Sequence, residues 1–130
     1  MTTRRKGGRR AARRDALFAL YQWDLTGRPL TSQLPEQADP FARELAEAVA
    51  GRAPELDRRI DEVSDGWPAD RLGVLERNIL RVGIWELEGD TVPPEVAISE
   101  AVGLAKRYAS EDAARLVNGI LARVAREEAA

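Results

Sequence analysis

Apolar residues recur along this chain at intervals of three and four, the spacing that sets side chains on one side of an α-helix; no sustained alternation of the kind a strand needs is present. The first such stretch runs from Arg9. Ala12, Ala16, Ala19, Leu20 and Trp23 fall on one side at about 100° per residue, and Thr26-Gly27 supplies the stop. Residues 28–38, with Pro29, Thr31, Ser32 and Pro35, read as a loop. Asp39-Pro40 predicts a second start, because Asp caps free amides and Pro in the first turn gives up an N–H that has no helical partner anyway. Phe41, Leu45, Ala48 and Val49 then form an apolar face up to Gly51. Pro54 opens a third helix through Leu56, Ile60 and Val63, ended by Ser64-Asp65-Gly66, and Trp67-Pro68 begins a short connector or helical turn.

Residues 70–88 predict a central helix, since Leu72, Leu75, Ile79 and Val82 alternate with Leu80, Ile84 and Leu87 to make a wide apolar surface. Gly89-Asp90 closes it. Pro93-Pro94 starts the next, with Ala97, Ile98, Ala101, Val102, Leu104, Ala105 and Tyr108 as its buried side. Ser110 caps the last helix, Glu111 and Asp112 sit where the helix dipole favours acids, and Ala113, Val117, Ile120 and Val124 form its core stripe. Trp67 and Trp85 read as core aromatics. Short loops between amphipathic helices predict an all-α fold, a compact bundle of about seven helices. Gly7 and Gly8 interrupt the start, so residues 1–8 read as a flexible tail and residues 9–130 as one domain.

Composition adds exclusions. The chain has no Cys and no His, which removes thiol nucleophiles, thiolate metal sites and the commonest general base, and no metal or cofactor is expected. No P-loop, G-x-G-x-x-G or hydrolase elbow is present, and Asp57 and Asp61, standing beside Arg58 and Arg59, read as a solvated face; the expectation is a protein that is not an enzyme. No run of about eighteen apolar residues can cross a bilayer, and the basic start lacks the apolar core of a secretory signal, so the expected location is the cytoplasm.

Charge changes the picture more. The net charge of −2 hides Arg4, Arg5, Lys6, Arg9, Arg10, Arg13 and Arg14 in the first fourteen residues, with no acid among them, against 13 basic and 22 acidic residues in the rest. A basic arm on an acidic body predicts a polyanion bound locally. In a helix from Arg9, Arg9/Arg13 and Arg10/Arg14 are like-charge pairs that each cost a few tenths of a kcal/mol and crowd the positive end of the dipole. An anionic partner reverses those penalties, and Arg can grip phosphate with two donors and stack on a base. Arg10, Arg14, Leu17 and Tyr21 lie within about 60° on the wheel, so Tyr21 reads either as a stacking platform that continues the arginine face or, with Leu17, as core. Glu111 and Asp112 read first as helix-start acids. Gly119, after Asn118 inside the last helix, implies that another backbone approaches closely there.

Taken in order, these segments resemble the NusB family. Ala19-Leu20-Tyr21-Gln22-Trp23 is similar to the family's A-L-Y-x-W, and Glu76-Arg77-Asn78-Ile79-Leu80-Arg81 leads to Trp85-Glu86-Leu87 where the family usually has tyrosine before E-L. Pro94-Glu95-Val96-Ala97-Ile98-Ser99-Glu100-Ala101, then Leu104-Ala105-Lys106, resembles P-x-V-A-I-N-E-A with E-L-A-K, and Val117-Asn118-Gly119-Ile120-Leu121 resembles V-N-G-[VI]-L. The resemblance implies two small helical sub-bundles and a transcription antitermination factor. It implies binding of single-stranded boxA RNA together with the ribosomal protein NusE, beside other Nus factors and RNA polymerase, in support of ribosomal RNA synthesis. By motif position the RNA residues are Arg9, Arg10, Arg13, Arg14, Tyr21, Asp112 and Leu116, with Arg4, Arg5 and Lys6 of the basic tail expected to join them, and Glu76 lies near the NusE side. Ser99, Ala113 and Leu116 depart from the usual Asn, Ser and aromatic, the last removing a stacking ring. Two alternatives stand beside this: a homodimer that hides the RNA surface, and a relative of the RNA-binding domain at the start of ribosomal RNA methyltransferases.

Overall fold

The computed structural model describes residues 8–130, and in these residues every regular element is helical. Six α-helices follow one another: α1 Gly8–Thr26, α2 Pro40–Gly51, α3 Ala53–Val63, α4 Val74–Gly89, α5 Pro94–Tyr108 and α6 Glu111–Ala129. Two short 3-10 turns, Leu30–Gln33 and Ala69–Arg71, lie in the connections. The expected count of seven is therefore corrected to six among the described residues. The reason lies around Trp67: Ala69–Arg71 makes one tight turn, Leu72 is extended, and α4 begins only at Val74 rather than at residue 70.

The chain divides into two compact units, one ending at Gly51 and the other comprising Arg52–Ala130. In the first, α1 packs against α2 and the 3-10 turn at 30–33. Gly27, at φ 75°, ends α1 in the left-handed conformation that side chains resist, and its N–H bonds the Trp23 carbonyl at 2.9 Å. Asp39 caps α2 as its sequence implied, the carboxylate accepting from the Phe41 N–H at 2.8 Å.

In the second unit α4, α5 and α6 pack pairwise, and α3 lies against α4 and α6. Ser110 caps α6 by accepting from the Ala113 N–H at 2.9 Å. Where α4 meets α6, a Cβ at Gly83 would stand 2.6 Å from the buried Leu121 side chain, so a glycine lets the two helices approach. Asp57 is not on a solvated face. Its two oxygens accept from Nε and Nη2 of the buried Arg81, each at 2.7 Å, and Arg81 Nη1 also donates to Asn78 Oδ1 at 3.0 Å. Asp61 is committed too, accepting from the Ala69 N–H at 2.7 Å and so tying α3 to the turn that follows it.

At the far end of α6, Arg59 reaches Glu127 at 2.8 Å and Arg123 reaches the same carboxylate at 3.2 Å. Hydrogen bonds from Arg59 and then Arg123 hold the Glu127 carboxyl below the ordinary carboxylate range.

Two further expectations are corrected. Trp67 is exposed, because the left-handed residues Asp65 and Gly66 reverse the chain just before it and leave its ring outside the helical packing; Trp85 is half-buried. Gly119 is exposed as well, and no described residue lies within 4 Å of where its Cβ would be, so no close approach inside the second unit explains it. Gly119→Ala is expected to stabilise the protein by about 0.5–1 kcal/mol through helix propensity alone, read as a higher denaturant midpoint. A lower midpoint would mean that some group needs that space.

Candidate nucleic-acid interface

The basic residues of α1 separate into two pairs that the structure treats differently. On one side, Arg9 lies with its guanidinium 4.2 Å from the centre of the Phe41 ring, and Arg13 lies 5.5 Å from the same ring. Arg13 is only 4% exposed, and its seat on Phe41 of α2 makes it part of the packing of this unit. Arg9 keeps contact with solvent while it rests on the ring. Phe41, expected only to bury an apolar face, thus fixes two guanidiniums in place, a role that no spacing along the chain could reveal.

On the other side, Arg10 and Arg14 are both exposed, one helical turn apart. Arg14 meets Asp15 at 3.3 Å, with side chains 44% and 39% exposed, an ion pair of the weak surface type that an incoming phosphate can displace. No acid precedes Asp15, so the N-terminal half of α1 presents positive charge on top of the positive end of its own dipole. Ala12, Ala16, Leu17, Ala19 and Leu20 are buried. Leu17 is therefore core and leaves the arginine face, while Tyr21 is half-buried at its far end.

Sequence reasoning missed one residue here. Phe18 is 40% exposed, and at about 100° per residue it stands some 40° from Arg14 and 80° from Arg10. Its four-residue step from Arg14 was visible in the sequence, but a search for buried stripes passes over apolar residues that fall off them.

The remaining candidates belong elsewhere. Arg4, Arg5 and Lys6 lie outside the described residues. Asp112 and Leu116 are on the first turns of α6, in the second unit: Asp112 is exposed and paired with Arg115, and Leu116 is half-buried. Glu76 occupies the first turn of α4, where its carboxylate folds back beside Gly73 and would collide with any Cβ there. Asn118 borders an open groove of about 510 Å³ along α5 and α6 that Ile98, Ser99, Val102 and Lys106 also line. Among the described residues no group of three or more Asp and Glu could hold a metal ion, and no helix is long and apolar enough to cross a membrane.

Against known proteins, the NusB family model matches residues 10–126, nearly all of the described chain. The chain belongs to the NusB family. It is 39% identical over 120 residues to the transcription antitermination protein NusB of Rubrobacter xylanophilus, covering 87% of this chain and 86% of that one. Among solved structures, NusB from T. maritima superposes with a TM-score of 0.82 at 33% identity, over 92% of this chain and 91% of that one. A second structure, of the antitermination factors NusB and NusE in complex with double-stranded RNA, matches with a TM-score of 0.81 at 31% identity, covering 92% and 96%. The NusB match begins at Arg10, so the exposed Arg10 and Arg14 both fall within the part of the chain that the family defines.

Proposed function

We propose that this chain is a transcription antitermination factor that binds single-stranded boxA RNA together with the ribosomal protein NusE and supports ribosomal RNA synthesis. The observation that carries the reading is the pair of exposed arginines, Arg10 and Arg14, on a helix whose core side is already filled. Two like charges one turn apart at the positive end of a dipole repel each other and the dipole, whereas bound phosphates turn both penalties into attractions. Membership of the NusB family, and a related structure that holds NusB, NusE and RNA, point the same way.

In this reading Arg10 and Arg14 hold phosphates, Arg9 adds charge from its seat on Phe41, and Arg13 sustains that seat from below. Tyr21 offers part of a ring to an unpaired base, and Arg4, Arg5 and Lys6 extend the positive charge. Asp112, an acceptor that repels phosphate, suits a base N–H donor, with Leu116 one turn on. Glu76 serves the NusE side. The RNA named for the related complex is double-stranded; the preference for a single strand proposed here rests on aromatic rings beside the arginines, which a duplex with its bases stacked inside cannot use. The protein acts in the cytoplasm beside other Nus factors and RNA polymerase, as a binding protein and not as an enzyme.

A fluorescence titration of labelled boxA RNA with and without NusE tests the reading. Tighter binding of the single strand than of the matching duplex, strengthened further by NusE, is the expected result. Equal affinity for duplex and single strand would overturn it.

A further inference from the structure

The arginine face of α1 does not end at Arg14. Its next outward position is Phe18, four residues on, and its exposed ring makes an arginine, arginine, phenylalanine series with about 6 Å of helix rise per step. We propose that Phe18 is a base-stacking residue, taking an unpaired nucleobase of an RNA whose phosphates are held by Arg10 and Arg14. The inference rests on the RNA-binding reading and deepens it.

Three observations carry it. Phe18 keeps 40% of its surface open to solvent, while its neighbours Leu17, Ala19 and Leu20 are buried to within 1% of fully. An aromatic side chain also has lower helix propensity than the leucine or methionine that could stand there, so local folding does not select it. Finally, Phe18 is closer to the arginines than Tyr21 is. Tyr21 follows Arg14 by seven residues, about 10 Å of rise, and is half-buried, whereas Phe18 follows by about 6 Å and exposes more of its ring. A flat apolar ring one step beyond two phosphate-binding cations suits a base whose sugar-phosphate is already held, and it accepts any base because every base has a π-face.

The competing occupant of Phe18 is an apolar protein surface, and substitution separates the two. A labelled single-stranded boxA RNA is titrated with the wild type, Phe18→Ala, Phe18→Leu and Arg10→Ala/Arg14→Ala, without NusE, at several salt concentrations. Removing the ring is expected to weaken binding on the order of tenfold in both Phe18 variants, with the salt dependence unchanged because no charge is lost. Phe18→Leu keeps apolar bulk without a ring, so full RNA affinity in Phe18→Leu beside a loss in Phe18→Ala would show an apolar contact in place of stacking and overturn the proposal. RNAs with one abasic position at a time add a second readout: one position should weaken the wild type and cost Phe18→Ala nothing further.

Unchanged RNA affinity in both Phe18 variants, while Arg10→Ala/Arg14→Ala still loses binding, overturns the stacking role and leaves the RNA reading standing. So does a loss that emerges only when NusE is added, which assigns the ring to the protein partner. Failure of the wild type to bind RNA at all overturns both. Because Phe18 is only partly exposed, the melting temperature of each variant is measured as well and affinities are compared where every variant is fully folded, which keeps a folding defect from imitating the result.

Discussion

Replacing Arg10 and Arg14 together by alanine is expected to weaken the binding of single-stranded boxA RNA about a hundredfold, because each exposed guanidinium supplies a charge-assisted contact to phosphate of roughly 1.5 kcal/mol or more. The salt dependence carries the sharper signature. If about four phosphates are neutralised, log K falls with log salt at a slope near −3, and removing two of those contacts flattens it by about 1.4. Arg13→Ala should behave otherwise. Its guanidinium is buried against Phe41, so its loss should lower the melting temperature and leave the slope nearly unchanged. A slope indifferent to Arg10 and Arg14 would remove α1 from the RNA interface whatever the change in affinity.

The second large effect lies far from any ligand. Asp57→Ala leaves Arg81, 5% exposed, without the carboxylate that grips it through two hydrogen bonds of 2.7 Å. Breaking a buried pair from one side costs about 3–5 kcal/mol, and the partial exposure of Asp57 argues for the lower end. Thermal unfolding followed by circular dichroism should show a melting temperature lower by about 10 °C. The double variant Asp57→Ala/Arg81→Met should recover most of that loss, because it removes the charge as well as its partner. A shift of less than about 2 °C in the single variant would mean that the pair contributes little to holding α3 on α4.

The helices were legible because their signals are local. Asp39 and Ser110 cap the helices they were expected to cap, since a cap needs only a side-chain acceptor within three residues of a free amide. The start of α4 was misplaced for a reason of the same kind. Leu72 continues the apolar spacing of the helix, but it is buried from an extended backbone after the 3-10 turn, and periodicity records that a residue is buried without recording how the backbone brings it there. Asp57 beside Arg58 and Arg59 looked solvated because its partner, Arg81, is 24 residues away.

The candidate site divides along the same line. Its position, its charge and its helical form follow from residues 1–16 alone, since seven cations ahead of the first acid and the spacing of Ala12 and Ala16 are facts of neighbouring residues. Which arginines face outward is a different matter. Arg9, Arg10, Arg13 and Arg14 are equivalent as a charge count, and only the packing of α2 against α1, which brings Phe41 under Arg9 and Arg13, buries Arg13 and leaves Arg9, Arg10 and Arg14 exposed. Likewise Leu17 and Phe18 are adjacent apolar residues that composition cannot tell apart; the fold buries one and exposes the other. The sequence alone determined a chain of helices with a basic first helix, because helix formation and charge density depend on near neighbours. Tertiary structure alone decided which of those cations, and which ring, can meet a ligand, because exposure depends on residues distant in the chain.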